Sequence, residues 1–228
     1  MNTKTLLLLL VVAMIYLAWL LLHQVIFHRS FCRPANRVAE YFYHRLSGFL
    51  FLGIISYWIG SHWFDLSPAQ MGVGFTLNNV AKWSLLAAVL VIPALMFRVG
   101  PQKRNLWDNP KIRARHWSWA LVLFSTLSWV IYLFAYEFFF RGFLLFPCID
   151  QWGLVWAVVI NVVFYSLAHL DQGWRMVIGA AIFSVILSLI SFYTGNFYAA
   201  FLIHVINACC NEWISLYYHP EMRVKGLI

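Results

Sequence analysis

Apolar residues in this chain come in long blocks separated by short polar interruptions, without the alternation of a half-buried strand or the narrow stripe of a surface helix. The first block covers residues 5 to 26. Others follow at about Leu46 to Phe64, Val80 to Phe97, Trp117 to Phe146, Trp152 to His169, Met176 to Tyr193 and Phe197 to Tyr217. Each comes near or exceeds the roughly 20 residues that a helix needs to cross a bilayer core. The expected fold is therefore all-α, a polytopic transmembrane helical bundle of about seven spans, in a single domain over residues 1 to 228. The first block is too long for a signal-peptide core and has no small-residue cleavage site, so it reads as a retained span. Breakers punctuate the blocks. Asp65-Leu66-Ser67-Pro68, Pro147-Cys148-Ile149-Asp150 and Thr194-Gly195-Asn196 predict turns, and Arg98 to His116, with Pro101 and Pro110, is the one long polar loop.

Composition agrees, since 63% of residues are hydrophobic and only 11% charged, against about 25% charged in soluble domains. Mean hydropathy is +0.75. A net charge of +8 could suit a nucleic-acid partner, but basic residues gathered in short loops beside spans are what membrane orientation requires, and that reading is set aside. Arg29, Arg33, Arg37, Arg45, Arg98, Lys103, Arg104, Lys111, Arg113, Arg115, Arg175, Arg223 and Lys225 make thirteen on one side, against Lys4 on the other, with Lys82 and Arg141 inside spans. The amino terminus is thus expected outside and the carboxyl terminus in the cytoplasm. Trp63, Trp117, Trp119, Trp152 and Trp174 fall near span ends, as an aromatic belt would. Cys32, Cys148, Cys209 and Cys210 have no metal-site spacing and read as small core residues.

Three polar constellations remain inside the spans. In the fourth, Tyr136-Glu137-x-x-x-Arg141 sets what reads as the only deeply placed carboxylate one helical turn from an arginine, where the two can pair. In the fifth, Asn161, Tyr165 and His169 recur every four residues as one polar stripe. In the seventh, His204, Asn207 and Asn211 share a face. Such groups must face the bundle interior or a water-filled cavity, so a common cavity is expected. Intramembrane Glu and His also suit a transporter or proton relay, although the chain shows no internal repeat of the kind many transporters have. Depth poses a problem. At about 1.5 Å per residue, Glu137 falls near the outer end of span four and His169 toward the inner end of span five. They meet only if span four runs on past the outer surface, or if a span is tilted or broken.

The three constellations resemble the motifs of the CPBP (CAAX protease and bacteriocin-processing) intramembrane proteases, to which the Ras-converting CAAX endopeptidases also belong. That family's pattern is EExxxR, FxxxH and HxxxN on three spans. Here stand Tyr136-Glu137-Phe138-Phe139-Phe140-Arg141-Gly142, Tyr165-Ser166-Leu167-Ala168-His169 and His204-Val205-Ile206-Asn207, within a family-like core of about residues 70 to 215. There are departures. Tyr136 replaces the first Glu, the residue usually assigned as catalytic. Tyr165 replaces Phe, and Asn207 follows its histidine by three residues, with Ala208 at the fourth position.

The resemblance implies an intramembrane endopeptidase acting on a membrane-associated or exported protein. Glu137 with His169 would activate a water, and His204 with Asn207 would donate to the oxyanion. Arg141, Tyr136, Tyr165 and Asn211 would support them. No cofactor is expected; the alternative is zinc on Glu137, His169 and His204, against which no HExxH spacing is present. The partners would be a protein or peptide substrate and the lipid bilayer, with no nucleic acid, and the short chain looks most like bacterial members, in the inner membrane. The absent first Glu keeps open a non-catalytic member acting as an interaction or immunity protein. Reporter fusions placed after Arg113 and after Ile228 should both report cytoplasm; disagreement between them would refute the span count.

Overall fold

The computed structural model describes residues 3–30 and 37–225; Cys32, Arg33 and Ile228 lie outside the described residues. Backbone that meets only apolar side chains and lipid must satisfy its own hydrogen bonds, and the apolar blocks accordingly become helices. They are α1 (Thr3–Ser30), α2 (Arg37–Gly48), a π-helical segment π1 (Phe49–Ile55), α3 (Ser56–Trp63), α4 (Asn79–Val99), a short α5 (Lys103–Asp108), α6 (Trp119–Glu137), a second π-helical segment π2 (Phe138–Leu145), α7 (Phe146–Leu167), α8 (Trp174–Thr194) and α9 (Tyr198–Tyr218). The all-α bundle is as expected. Local chemistry sets several ends: the Asn78 side chain accepts from the Ala81 N–H to start α4, Ser118 accepts from Leu121 to start α6, and Gly195 closes α8 in the left-handed region at φ 69°. Asp65, at φ 54°, ends the second block where the sequence placed its break.

Among the described residues, four helices are long and apolar enough to cross a membrane: Asn79–Val99, Trp119–Leu167, Trp174–Thr194 and Tyr198–Tyr218. The second of these is 49 residues long and contains two of the expected spans. The turn predicted at Pro147-Cys148-Ile149-Asp150 is helical instead. Pro147 sits in the first turn of α7, where its missing N–H and fixed φ cost little. The break comes later, at Gly153 (φ 77°, ψ 169°), a conformation that a side chain would resist. The two arms pack side by side, with the Asn161 amide donating to the Phe140 carbonyl and the Tyr165 ring 5.5 Å from Tyr136 and 5.1 Å from Phe140. The first arm is thus longer than the apolar pattern suggested, which is how a carboxylate far along it can stand behind the cavity that His169 lines.

The first arm is also the centre of the bundle. Every residue of π2 is buried, and π1 packs across α6 so closely that a Cβ on Gly53 would stand only 3.0 Å from the Ala135 methyl. The polar stretch Arg98 to His116 is not an open loop. It carries α5, and its last residues form β1 (His116–Trp117), which pairs in parallel with β2 (Arg223–Val224). Ile112, Trp117, Leu216 and Met222 close a small core there. Trp117 is consequently fully buried rather than interfacial, while Trp63, Trp119 and Trp174 are exposed as the belt requires.

Gly142 lies within the central arm, and a Cβ there would stand 2.7 Å from the Met71 carbonyl oxygen and 2.7 Å from the Phe138 ring. Gly142→Ala should cost about 1–3 kcal/mol by overpacking and lower the thermal midpoint in detergent. Gly179→Ala, with nothing within 4 Å, should leave it unchanged or raise it.

Candidate active site

Glu137 is the last residue of α6 and is fully buried. An isolated carboxylate there would be prohibitively desolvated, so its two oxygens are each matched to a cation or donor. Oε1 lies 2.6 Å from His204 Nδ1 and accepts from it, and Oε2 lies 3.0 Å from Arg141 Nη1. That second contact is an ion pair without hydrogen-bond alignment, since neither atom has a hydrogen-bond partner. Arg141 is fully buried too; its Nη2 donates to Ser184 Oγ at 3.3 Å, and its guanidinium lies 4.4 Å from the Tyr165 ring centre. The i, i+4 pairing expected from the sequence is therefore present, as is the approach of α9.

A cavity of about 920 Å³ opens beside this pair, and its lining includes Tyr136, His169, His204, Asn207 and Asn211. Glu137 and Arg141 are not in the lining; they stand behind His204 and Tyr165. His169 Nδ1 lies 2.9 Å from the Tyr165 carbonyl, which can only accept, so the neutral ring carries its proton on Nδ1 and leaves Nε2 as a lone pair. The same reasoning gives His204 an Nδ1–H toward Glu137. Tyr136 packs edge-on to His204 at 5.9 Å and to Tyr165 at 5.5 Å. Asn207 reaches the cavity despite its three-residue spacing. Asn211 accepts from Ser215 Oγ at 3.4 Å.

Of the stripe residues only His169 lines the cavity, and Tyr165 is buried behind it like Asn161. Asn161 is fully buried and absent from the cavity wall, and it binds backbone and serines inside the bundle.

The expectation that Glu137 is the only deeply placed carboxylate is overturned, because Glu212 in α9 is 4% exposed. Its partner is Arg45, 2% exposed, at 3.5 Å. Arg45 also donates to the Ser125 carbonyl (3.0 Å), Ser125 Oγ (3.1 Å) and Ser128 Oγ (2.7 Å), and stacks 3.9 Å from the centre of the Trp129 ring. Ser125 Oγ and Trp129 Nε1 complete the shell of Glu212 at 2.7 and 2.9 Å. Arg45 is thus a buried strut and not one of the loop charges, which leaves twelve basic residues (13 − 1) against one in the count read from the sequence. The signal lay in α6, where Ser125, Ser128 and Trp129 share one face of an apolar helix.

Both charge clusters border the same cavity. Glu212 lies eight residues beyond His204 on α9, about 12 Å along the axis. Asn109 and Lys111 of the polar stretch, with Asp171 and Gln172 of the α7–α8 turn, line its other end.

Among the described residues, no three His, Cys, Asp or Glu side chains are grouped so as to hold a metal ion. Glu137, with one oxygen on His204 Nδ1 and the other on Arg141, does not form a ligand set with His169 and His204 as arranged.

Residues 110–210 match the model of the type II CAAX prenyl endopeptidase Rce1-like family. The match spans Glu137, Arg141, His169, His204 and Asn207 and bears out the resemblance read from those motifs. No curated protein and no solved structure matches the chain.

Breaking the Arg45–Glu212 pair on one side should leave a buried charge uncompensated. Arg45→Met alone should cost about 3–5 kcal/mol, whereas Arg45→Met with Glu212→Leu should recover much of it. Thermal midpoints of the single and double variants in the same detergent provide the check.

Proposed function

We propose that this chain hydrolyses a peptide bond of a membrane-associated or exported protein, with Glu137, His169, His204 and Asn207 as its catalytic set. The observation that carries the reading is the Glu137–His204 pair, 2.6 Å apart, whose histidine lines a cavity together with His169 and Asn207. A peptidase must bring water, a base and oxyanion donors to one carbonyl, and in a bilayer it must also exclude lipid from them. The match to a protease family over the same residues supports this reading.

In this scheme the Nε2 lone pair of His204 receives one proton of the attacking water while the Nε2 lone pair of His169 accepts a hydrogen bond from the other, so His204 serves as base and not as the oxyanion donor expected from the motifs. Glu137 behind His204 stabilises the imidazolium, as a buried carboxylate does for a histidine base. The Asn207 amide and the Tyr136 hydroxyl are donors available to the tetrahedral oxyanion, and the imidazolium returns its proton to the leaving amine. No step requires a metal. Tyr136, where the family has its first Glu, cannot act as base at neutral pH because a phenol's ordinary pKa is about 10. That substitution is also what favours the second reading, a non-catalytic member that binds a partner. The charge asymmetry of its loops orients the amino terminus outside, and the likeness of this short chain to bacterial family members suits a bacterial inner membrane.

The test compares the membrane proteomes of cells carrying wild-type and variant chains, followed by assay of any accumulating protein with purified enzyme in detergent. Glu137→Gln should abolish cleavage while the protein still accumulates in the membrane. His169→Ala and His204→Ala should be as severe, Asn207→Ala should lose about 10²-fold, and Tyr136→Phe should lose much less. EDTA or phenanthroline should leave the rate unchanged. A fully functional Glu137→Gln chain would overturn catalysis in favour of the binding reading, and loss of activity with chelator, restored by zinc, would overturn the metal-free scheme.

A further inference from the structure

Asn161, Ser184 and Ser188 stand outside the catalytic set, and all three are fully buried. The helical pattern puts Asn161 on the same face as Tyr165 and His169, yet its side chain enters the bundle, not the cavity. Its Nδ2 donates to the Phe140 carbonyl, inside π2. A π-helical stretch shifts the backbone ladder from i−4 to i−5 partners, and the Phe140 carbonyl within it takes this side-chain donor from α7. Its Oδ1 accepts from Ser184 Oγ at 3.1 Å and from Ser188 Oγ at 3.2 Å, so one amide joins α7, α8 and the central arm.

From Ser184 the contacts run on without a gap. Arg141 Nη2 donates to Ser184 Oγ at 3.3 Å, Arg141 Nη1 lies 3.0 Å from Glu137 Oε2, and Glu137 Oε1 takes the Nδ1 proton of His204 at 2.6 Å. Every member before His204 is fully buried, so water cannot replace a missing link. His169 is held separately, by the Tyr165 carbonyl at 2.9 Å.

We propose that Asn161 is a positioning residue: through Ser184 and Arg141 it fixes the Glu137 carboxylate, which holds His204 in the tautomer whose Nε2 lone pair faces the cavity. The importance of that tautomer rests on the peptidase reading; the existence of the relay does not. The relay sets the donor pattern of the neutral His204 ring, because a carboxylate that stays in place accepts its one proton at Nδ1 and so makes Nε2 the acceptor. If the guanidinium loses its serine, only the face of the Tyr165 ring and the ion pair still hold it; Glu137 can then shift with Arg141, and the His204 ring is no longer confined to one tautomer.

The full chain in detergent micelles, labelled with ¹⁵N-histidine, tests this without any substrate. The eight histidines give side-chain nitrogen signals that His169→Ala and His204→Ala assign. In wild type at neutral pH, both rings should show the proton on Nδ1 alone. In Asn161→Leu the His204 signals should move toward a mixture of tautomers while those of His169 stay in place. Ser184→Ala should do the same, and because it keeps the Asn161 lock on Phe140 it separates the relay from a loosened π2. His204 unchanged in Ser184→Ala, or His169 and His204 shifting together, would overturn the proposal and leave Asn161 as interhelical packing. If Asn161→Leu fails to accumulate, Ser184→Ala decides alone. Failure to find cleavage in any assay would count against the peptidase reading and would not touch this result.

Discussion

The contact between Glu137 and its two partners governs the rest of this molecule. A carboxylate with no exposed surface, in a bundle surrounded by lipid, survives only if its charge is met at once. Arg141 on the same arm and His204 on α9 meet it, at 3.0 and 2.6 Å. Because Arg141 is equally buried, the requirement propagates to Ser184 on α8 and to the Tyr165 ring on α7. Four helical elements are thereby tied to one charge. The packing around it follows, with phenylalanines at 138, 139, 140 and 143 buried against their neighbours instead of facing lipid.

The same arrangement creates a division of labour between what is hidden and what faces the cavity. The Glu137–Arg141 pair lies behind the wall, while His169, His204, Asn207 and Tyr136 line it. In a low-dielectric bundle this keeps that ion pair out of the cavity, and leaves hydrogen-bond donors and acceptors where a substrate carbonyl and a water would enter. The π-helical character of residues 138–145 belongs to this design. Within that stretch the Phe140 carbonyl accepts from the Asn161 amide, which ties it to α7.

Arg45 and Glu212 form a second charge centre on the same cavity, and they differ from the first in being saturated. Serine hydroxyls, an indole N–H and a stacked tryptophan ring leave Glu212 no free oxygen. This centre reads as a strut joining α2, α6 and α9. It keeps the cavity walls apart at one end, while the folded polar stretch, pinned by its β-pairing to the carboxyl-terminal segment, forms the floor.

Everything that depends on periodicity and local spacing was legible along the chain. Block lengths dictated helices, the i, i+4 spacing of Glu137 and Arg141 dictated their pairing, and the polar faces of α7 and α9 located His169, His204 and Asn207. Contacts between distant segments have no such local signature. The reversal at Gly153 rather than at Pro147 could not be read, because proline in a first helical turn and proline in a turn look alike along the chain. Arg45 resembled any loop arginine until α9 brought Glu212 within 3.5 Å. Asn161 shared the helical face of His169 yet lines no part of the cavity, because its amide is engaged by the Phe140 carbonyl on another segment. Helical winding is encoded residue by residue, but the partner of a buried polar group is chosen by whichever segment packs beside it, and that choice belongs to the tertiary structure.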